Sequence, residues 1–205
     1  MITGKSAFFL LMAYFMGSIP FGVLASRLYR INIHQVGSKN PGATNVLRTV
    51  GKKAAILTLL GDLGKGAASV ALGRLFLSSQ ALVATMGLLT IIGHDWSIFS
   101  KFQGGKGVAT SLGVFLILAP YPVLLALLAW LIILGATRYV SLASIMAGIL
   151  LPVLVWFFEG AGFLLIVSLI AGGLLILRHK QNIHRLMSGT ENKLGKSETR
   201  GSQNR

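Results

Sequence analysis

Apolar residues in this chain come in long blocks, not at the three-to-four spacing of an amphipathic helix or the alternation of a half-buried strand. The blocks cover roughly residues 6–29, 53–77, 80–98, 112–134, 139–158 and 161–177. An apolar run of about 18 or more residues is long enough to cross a hydrocarbon layer as a helix. The pattern therefore predicts an all-α polytopic membrane protein. Polar residues concentrate in the connections, and most heavily in 37–48, 101–107 and 178–185.

The fourth block, Leu112 to Leu134, holds Pro120 and Pro122 near its middle. It reads as one kinked span or as two short helices joined by a Pro-Tyr-Pro turn. Charge decides between them, because lysine and arginine collect on the cytoplasmic side of membrane proteins. With two passes, seven crossings put every basic residue except Lys5, Arg74 and Lys65 on one side; with a single pass, Arg138 and the basic tail move to the other. The expectation is therefore about seven transmembrane helices, N-terminus outside and C-terminus inside. Two of the helices, the halves of block four, are expected to be short, about a dozen residues each, and to need support from neighbours. The first block has Lys5 ahead of it and Arg27 and Arg30 behind, the reverse of a cleaved signal peptide, so it reads as a retained helix. Residues 1–187 form one transmembrane domain. Residues 188–205 are polar, basic and without periodicity, and read as a disordered tail.

Composition narrows the chemistry. Of 205 residues 54% are hydrophobic and 12% charged, with a formal net charge of +14 and no cysteine. Thiolate catalysis and thiolate metal sites are excluded. The acids Asp62, Asp95, Glu159, Glu191 and Glu198 are not near neighbours in sequence, which argues against a diacidic metal site, and no metal or other cofactor is expected. With little soluble mass to enter a groove, nucleic acid is not an expected partner. The excess positive charge points instead to lipid headgroups or a phosphorylated substrate.

Three segments carry candidate chemistry. In Gly37-Ser38-Lys39-Asn40-Pro41-Gly42-Ala43-Thr44-Asn45-Val46-Leu47-Arg48, Asn40 and Pro41 look like a helix N-cap and first residue, and Gly51 like a stop. Ser38 would then lie near free N–H groups, with Asn45 and Arg48 on one face; the alternative is an ordinary solvated loop. In Gly104-Gly105-Lys106-Gly107 glycines let backbone N–H groups approach an anion, Lys106 adds a point charge, and a helix follows. The spacing is not that of a nucleotide P-loop; the alternative is a flexible hinge. In Arg178-His179-Lys180-Gln181-Asn182-Ile183-His184-Arg185, His179 and Asn182 share a face, or the cluster simply touches headgroups. Ser141 and Ser144 open the sixth span; Ser141 is a candidate cap, and Ser144 lies one turn deeper. Asp62 and Lys65, three apart in the second block, read as an interior ion pair, while His34 and His94 read as structural.

Taken together, GSKNPGATNVLR, KFQGGKGVAT and RHKQNIHRL, with GSIPFG in the first span, resemble the bacterial acyl-phosphate:glycerol-3-phosphate acyltransferase family (PlsY) from about residue 12 to about residue 190. The resemblance implies a seven-helix fold with a periplasmic N-terminus, in the inner membrane, its active site facing the cytoplasm. It implies transfer of a fatty acyl group from acyl phosphate to the 1-hydroxyl of glycerol 3-phosphate, giving lysophosphatidate and phosphate, the first acylation of phospholipid synthesis. The implied partners are these two substrates, membrane lipid, and a soluble upstream enzyme that makes acyl phosphate.

By motif, Ser38, Asn45 and Arg48 would hold one substrate phosphate, and Gly104, Gly105, Lys106 and Gly107 the other. His179, Lys106, Ser144 and Asn182 would form the catalytic set, with His179 or a substrate phosphate as the base. One departure stands out: Lys39 occupies a position where the family pattern often has glycine. The His-x4-Asp signature of other glycerolipid acyltransferases is absent. Two other readings remain, an anion transporter, which needs a polar path through the bilayer, and a non-catalytic anchor with basic loops.

Overall fold

The computed structural model describes residues 3–195, and every regular element among them is helical. Lys196, Arg200 and Arg205, counted above among the cytoplasmic charges, lie outside that range. In chain order the helices are α1 (Gly4–Ser18), α2 (Phe21–Arg27), α3 (Ala43–Thr49), α4 (Lys52–Phe76), α5 (Gln80–Asp95), α6 (Val108–Leu118), α7 (Pro120–Thr137), α8 (Val140–Glu159), α9 (Phe163–Arg178) and α10 (Lys180–Met187). A 3-10 turn, Ile98–Ser100, follows α5.

The first block is one apolar stretch broken at Pro20. Proline has no N–H to donate, so the helical ladder stops there. Donors reach the break from outside: Lys65 Nζ on α4 donates to the Ile19 carbonyl at 2.8 Å, beside the local Phe21 N–H at 3.2 Å, and Ser97 Oγ donates to that of Ser18. Lys65 also pairs with Asp62 at 2.9 Å, and His94 Nδ1 lies 3.3 Å from the same carboxylate. The interior ion pair is thus present, with His94 as a third member and the break in the first span as its purpose.

Block four divides at Ala119, as the prolines suggested, but unequally. Helix α6 has 11 residues, whereas α7 has 18. Pro120 occupies the first helical position, where its missing N–H and fixed φ cost nothing. No breaker then intervenes until Arg138, which caps α7 at φ 63°. Only the first half of the block is short. Among the described residues five stretches are long and apolar enough to cross a membrane, and α9 with α10, bent by 58° at His179, makes a sixth if taken as one span.

Helix α1 lies along α5, α4 along α6, and α8 between α7 and α9. The α4–α6 contact is backbone to backbone. A Cβ on Gly113 would stand 2.0 Å from the Leu63 carbonyl oxygen, and one on Gly66 2.3 Å from that of Thr110. Small residues let helices approach this closely where apolar burial gives no net drive. Val70, Ile91, Val114, Phe115 and Leu118 fill the joint between α4, α5 and α6. Leu57, Leu60, Leu128, Leu131, Ile132, Phe157 and Ile166 point outward, which is the expected arrangement when the solvent is hydrocarbon.

The stretch after α10, expected to be disordered, is ordered as far as it is described. Glu191 is buried, and the Leu194 N–H donates to the Arg138 carbonyl at 2.7 Å. Specific hydrogen bonds hold it where polarity alone suggested a free chain. Residues 196–205 fall outside the described range.

Candidate active site

The connection between α2 and α3 is folded by one side chain. Asn45 Oδ1 accepts the Ser38 N–H at 3.0 Å, and its Nδ2 donates to the carbonyls of Val36 and Asn40 at 3.2 and 2.9 Å. Both amide protons are therefore engaged. Asn45 shapes the loop, and its expected role as a phosphate ligand competes with these two bonds. Asn40 is likewise not a helix cap. Its Oδ1 accepts the Gly42 N–H at 2.9 Å in an Asx turn, and α3 starts at Ala43. Arg48, in the last turn of α3, reaches across to donate from Nη2 to the Asn192 carbonyl at 3.0 Å.

Lys39 has φ 58°, the left-handed region. A non-glycine residue there is held at a cost of about 1–2 kcal/mol, part of which glycine would lose again in the unfolded chain. Lys39→Gly is expected to stabilise the protein by roughly 0.5–1 kcal/mol, seen as a small rise in thermal midpoint. A fall would mean that Lys39 makes a contact worth more than the strain.

The glycine turn lies between the end of α5 and the start of α6. The Gly105 N–H donates to the His94 carbonyl at 3.1 Å. Gly104 and Gly105 line a narrow crevice beside Asp62, Lys65 and His94, not the main cavity. Their expected place as direct phosphate ligands is therefore not supported at these two positions, because one N–H is taken and both glycines face inward. Gly107, at φ 73°, turns the chain into α6. Lys106 and the first residues of α6 do face the cavity.

His179 occupies the bend between α9 and α10 and is 3% exposed. Its Nδ1 lies 2.8 Å from the Leu175 carbonyl oxygen. A carbonyl only accepts, so Nδ1 carries the proton and, in the neutral ring, Nε2 is an acceptor. One turn on, Asn182 accepts from Lys106 Nζ through Oδ1 and donates from Nδ2 to Glu191 Oε1 at 2.8 Å. Glu191 gathers two more donors, Ser141 Oγ at 2.9 Å and Arg185 Nε at 2.7 Å. Ser144 Oγ donates to the Val140 carbonyl at 2.8 Å and accepts from Trp130 Nε1 at 3.0 Å.

Burial alone would raise the Glu191 carboxyl, but hydrogen bonds from Asn182, Arg185 and Ser141 outweigh it and hold the group below the usual glutamate range. Lys106 is pushed down to about 8, first by burial and then by the positive charge of Arg185, with Arg178 and Arg48 adding to it and Glu191 opposing. Cations gathered this closely favour an anionic ligand.

These residues share one cavity of about 650 Å³. Ser38, Arg48, Lys106, His179, Asn182 and Arg185 line its polar end. Leu112, Ala126, Trp130, Ala147, Gly148 and Leu151, from α6, α7 and α8, supply its apolar lining. All three sequence segments, and Ser144, therefore meet. Sequence reasoning missed Glu191 and Arg185. The available signal was that Glu191 is an isolated acid in a strongly basic stretch.

The sequence matches the glycerol-3-phosphate acyltransferase family over residues 7–189. This chain belongs to that family. A glycerol-3-phosphate acyltransferase of Trichlorobacter lovleyi is 46% identical over 181 residues, covering 88% of this chain and 93% of its own. One from Methylococcus capsulatus is 46% identical over 185 residues, covering 89% and 93%. The crystal structure of PlsY, an integral membrane glycerol 3-phosphate acyltransferase, in its glycerol 3-phosphate form, superposes with a TM-score of 0.88 at 38% identity, over 94% of this chain and 96% of that one. Its lysophosphatidic acid form gives 0.86 at 37% identity over the same shares. The membrane reading of the acyltransferase family fold and of these helices agrees: the chain is a multi-pass membrane protein.

Proposed function

We propose that this protein moves a fatty acyl group from acyl phosphate to the 1-hydroxyl of glycerol 3-phosphate, leaving lysophosphatidate and phosphate. The observation that carries the reading is the lining of the main cavity, which joins cationic and apolar residues. Its cationic residues suit two phosphates. Its apolar lining from α6, α7 and α8 suits an acyl tail arriving from lipid.

The chemistry asks little of the protein beyond placement. Acyl phosphate is already activated, and the main obstacle is bringing two anions together. Arg48, Lys106 and Arg185 reduce that repulsion. Nε2 of His179, or a substrate phosphate oxygen, accepts the proton as the glycerol oxygen attacks the acyl carbonyl carbon; burial and then the charge of Lys106 push the His179 imidazole down to about 4, which keeps the ring neutral and makes it a weak base. The carbon–oxygen bond to phosphate then breaks and phosphate leaves with that electron pair. Asn182 positions Lys106, Ser38 faces the substrates, Gly107 sets the entry into α6, and Ser144 with Trp130 forms the wall beside the reacting centre. We place α6 as a seventh, neighbour-supported pass, and the polar end on the cytoplasmic side of the inner membrane, from the distribution of lysine and arginine.

The direct test supplies the purified protein with an acyl phosphate and labelled glycerol 3-phosphate and looks for labelled lysophosphatidate. Uptake into vesicles without product would support the transporter instead. A pH prediction follows from Lys106. Without substrate it is charged below about 8, so the KM of the substrate whose phosphate it meets should rise as pH passes from 7 to 9. Lys106→Arg keeps its charge throughout and should flatten that rise, whatever it does to the rate. A wild-type KM that stays level across this range would remove Lys106 from phosphate binding.

A further inference from the structure

Arg178 has the geometry of a part made for one job. It ends α9, one residue before His179, and its side chain turns away from the main cavity toward the glycine turn. Nε donates to the Gly105 carbonyl at 3.0 Å, while Nη2 donates to the carbonyls of Gly104 and Gly105 at 3.0 and 2.8 Å. The guanidinium carbon stands 5.3 Å from the centre of the Trp96 ring, so an aromatic face backs the fork.

We infer that Arg178 is a positioning residue, which holds the Gly104–Gly105 carbonyls away from the substrates and so aims the Lys106 N–H and side chain at a substrate phosphate. The inference rests on the acyl-transfer reading above. A trans peptide sets its C=O and N–H in opposite directions, and none of the described peptide bonds is cis. Fixing the Gly104 carbonyl must turn the Gly105 N–H the other way, and that N–H does meet the His94 carbonyl at 3.1 Å. The same rule at the next peptide turns the Lys106 N–H away from Arg178.

The turn needs such a clamp because it is built of glycine. Gly-Gly has more conformations to lose than any other dipeptide, yet side chains cannot replace the freedom. A Cβ on Gly104 would stand 1.9 Å from the His94 carbonyl oxygen, and one on Gly105 2.1 Å from His94 Nε2. The turn is thus pressed against α5 on one side and pinned by Arg178 on the other. Without the pin, two carbonyl oxygens are free to swing toward the phosphates, and substrate binding must order the peptide itself.

The test is Arg178→Lys, which keeps the positive charge but not the fork. Both KM values and kcat are measured with acyl phosphate and glycerol 3-phosphate. The expected result is a rise of roughly tenfold in one KM, the order set by ordering one peptide unit, with the other KM and kcat within about twofold. Trp96→Leu, which removes the backing of the fork, should raise the same KM by a smaller factor, and it decides the matter if Arg178→Lys does not fold. Wild-type constants in Arg178→Lys would show that charge alone suffices and overturn the assignment, as would a loss confined to kcat. Absence of lysophosphatidate in the wild type would instead overturn the acyl-transfer reading.

Discussion

Lys106→Met is expected to lower kcat/KM by about two to three orders of magnitude, the usual cost of removing one preorganised donor at a reacting phosphate or oxyanion, with the fold intact. The two halves of this expectation come from one fact. Lys106 sits among Arg185, Arg178 and Arg48, with burial and these charges already pushing it toward neutrality. Without substrate its charge is a burden, so methionine, which matches the apolar stem and ends one atom short of the ammonium, relieves repulsion. The thermal midpoint should hold or rise. In the loaded protein the same charge faces phosphate and is needed. Asn182 Oδ1 loses its lysine donor in the variant, but it faces the cavity, where water can replace it. Steady-state kinetics beside a thermal melt in detergent checks both halves. Wild-type turnover, or a collapse of the fold, would each count against this reading of the site.

Glu191→Gln should damage stability and activity together. The carboxylate collects three donors from two helices: Ser141 on α8, and Asn182 and Arg185 on α10. A carboxamide has one oxygen and one NH2 group, so a donor must face a donor at one of these contacts. If that contact is Asn182, the amide rotates and withdraws the oxygen that meets Lys106. Stripping a partner from a buried ion pair costs about 3–5 kcal/mol. The Arg185 side chain is 32% exposed, and solvent screening brings the expectation down to about 2 kcal/mol. The rate should fall by about tenfold or more, as expected when a supporting contact behind a functional residue is lost. A variant that melts like the wild type would mean that the junction of these three donors is dispensable.

Much of this architecture was legible in the sequence, for physical reasons that also explain the misses. Apolar blocks are read with confidence of length because a hydrocarbon solvent demands continuous helix. The three polar segments stood out because donors gathered where no acid balanced them. What sequence could not show was direction. Asn45 was found by its place in a polar loop, yet its amide turns inward to Val36 and Asn40. Gly104 and Gly105 were found by their flexibility, yet Arg178 and α5 fix them facing the interior. The unequal division of block four depended on how far α7 continues past Leu134, which no breaker marked. Residues 188–195 lacked periodicity and so resembled free chain. Their order comes from Glu191, Asn192 and Leu194 meeting Ser141, Arg48 and Arg138, pairings between residues far apart along the chain.

The break at Pro20 bears on how the protein is made. The first apolar stretch leaves the Ser18 carbonyl to Ser97, while the Ile19 carbonyl, which the Phe21 N–H meets at 3.2 Å, takes its second donor from Lys65. Unmet carbonyls are tolerated in a bilayer only where protein or water covers them. The opening segment therefore cannot complete itself as it emerges from the ribosome. It has to wait, loosely lodged or sheltered by insertion machinery, until about half of the nascent polypeptide has followed. Stalled translation products ending between residues 65 and 97 should expose this stage as a half-capped species, open to cleavage near residue 20.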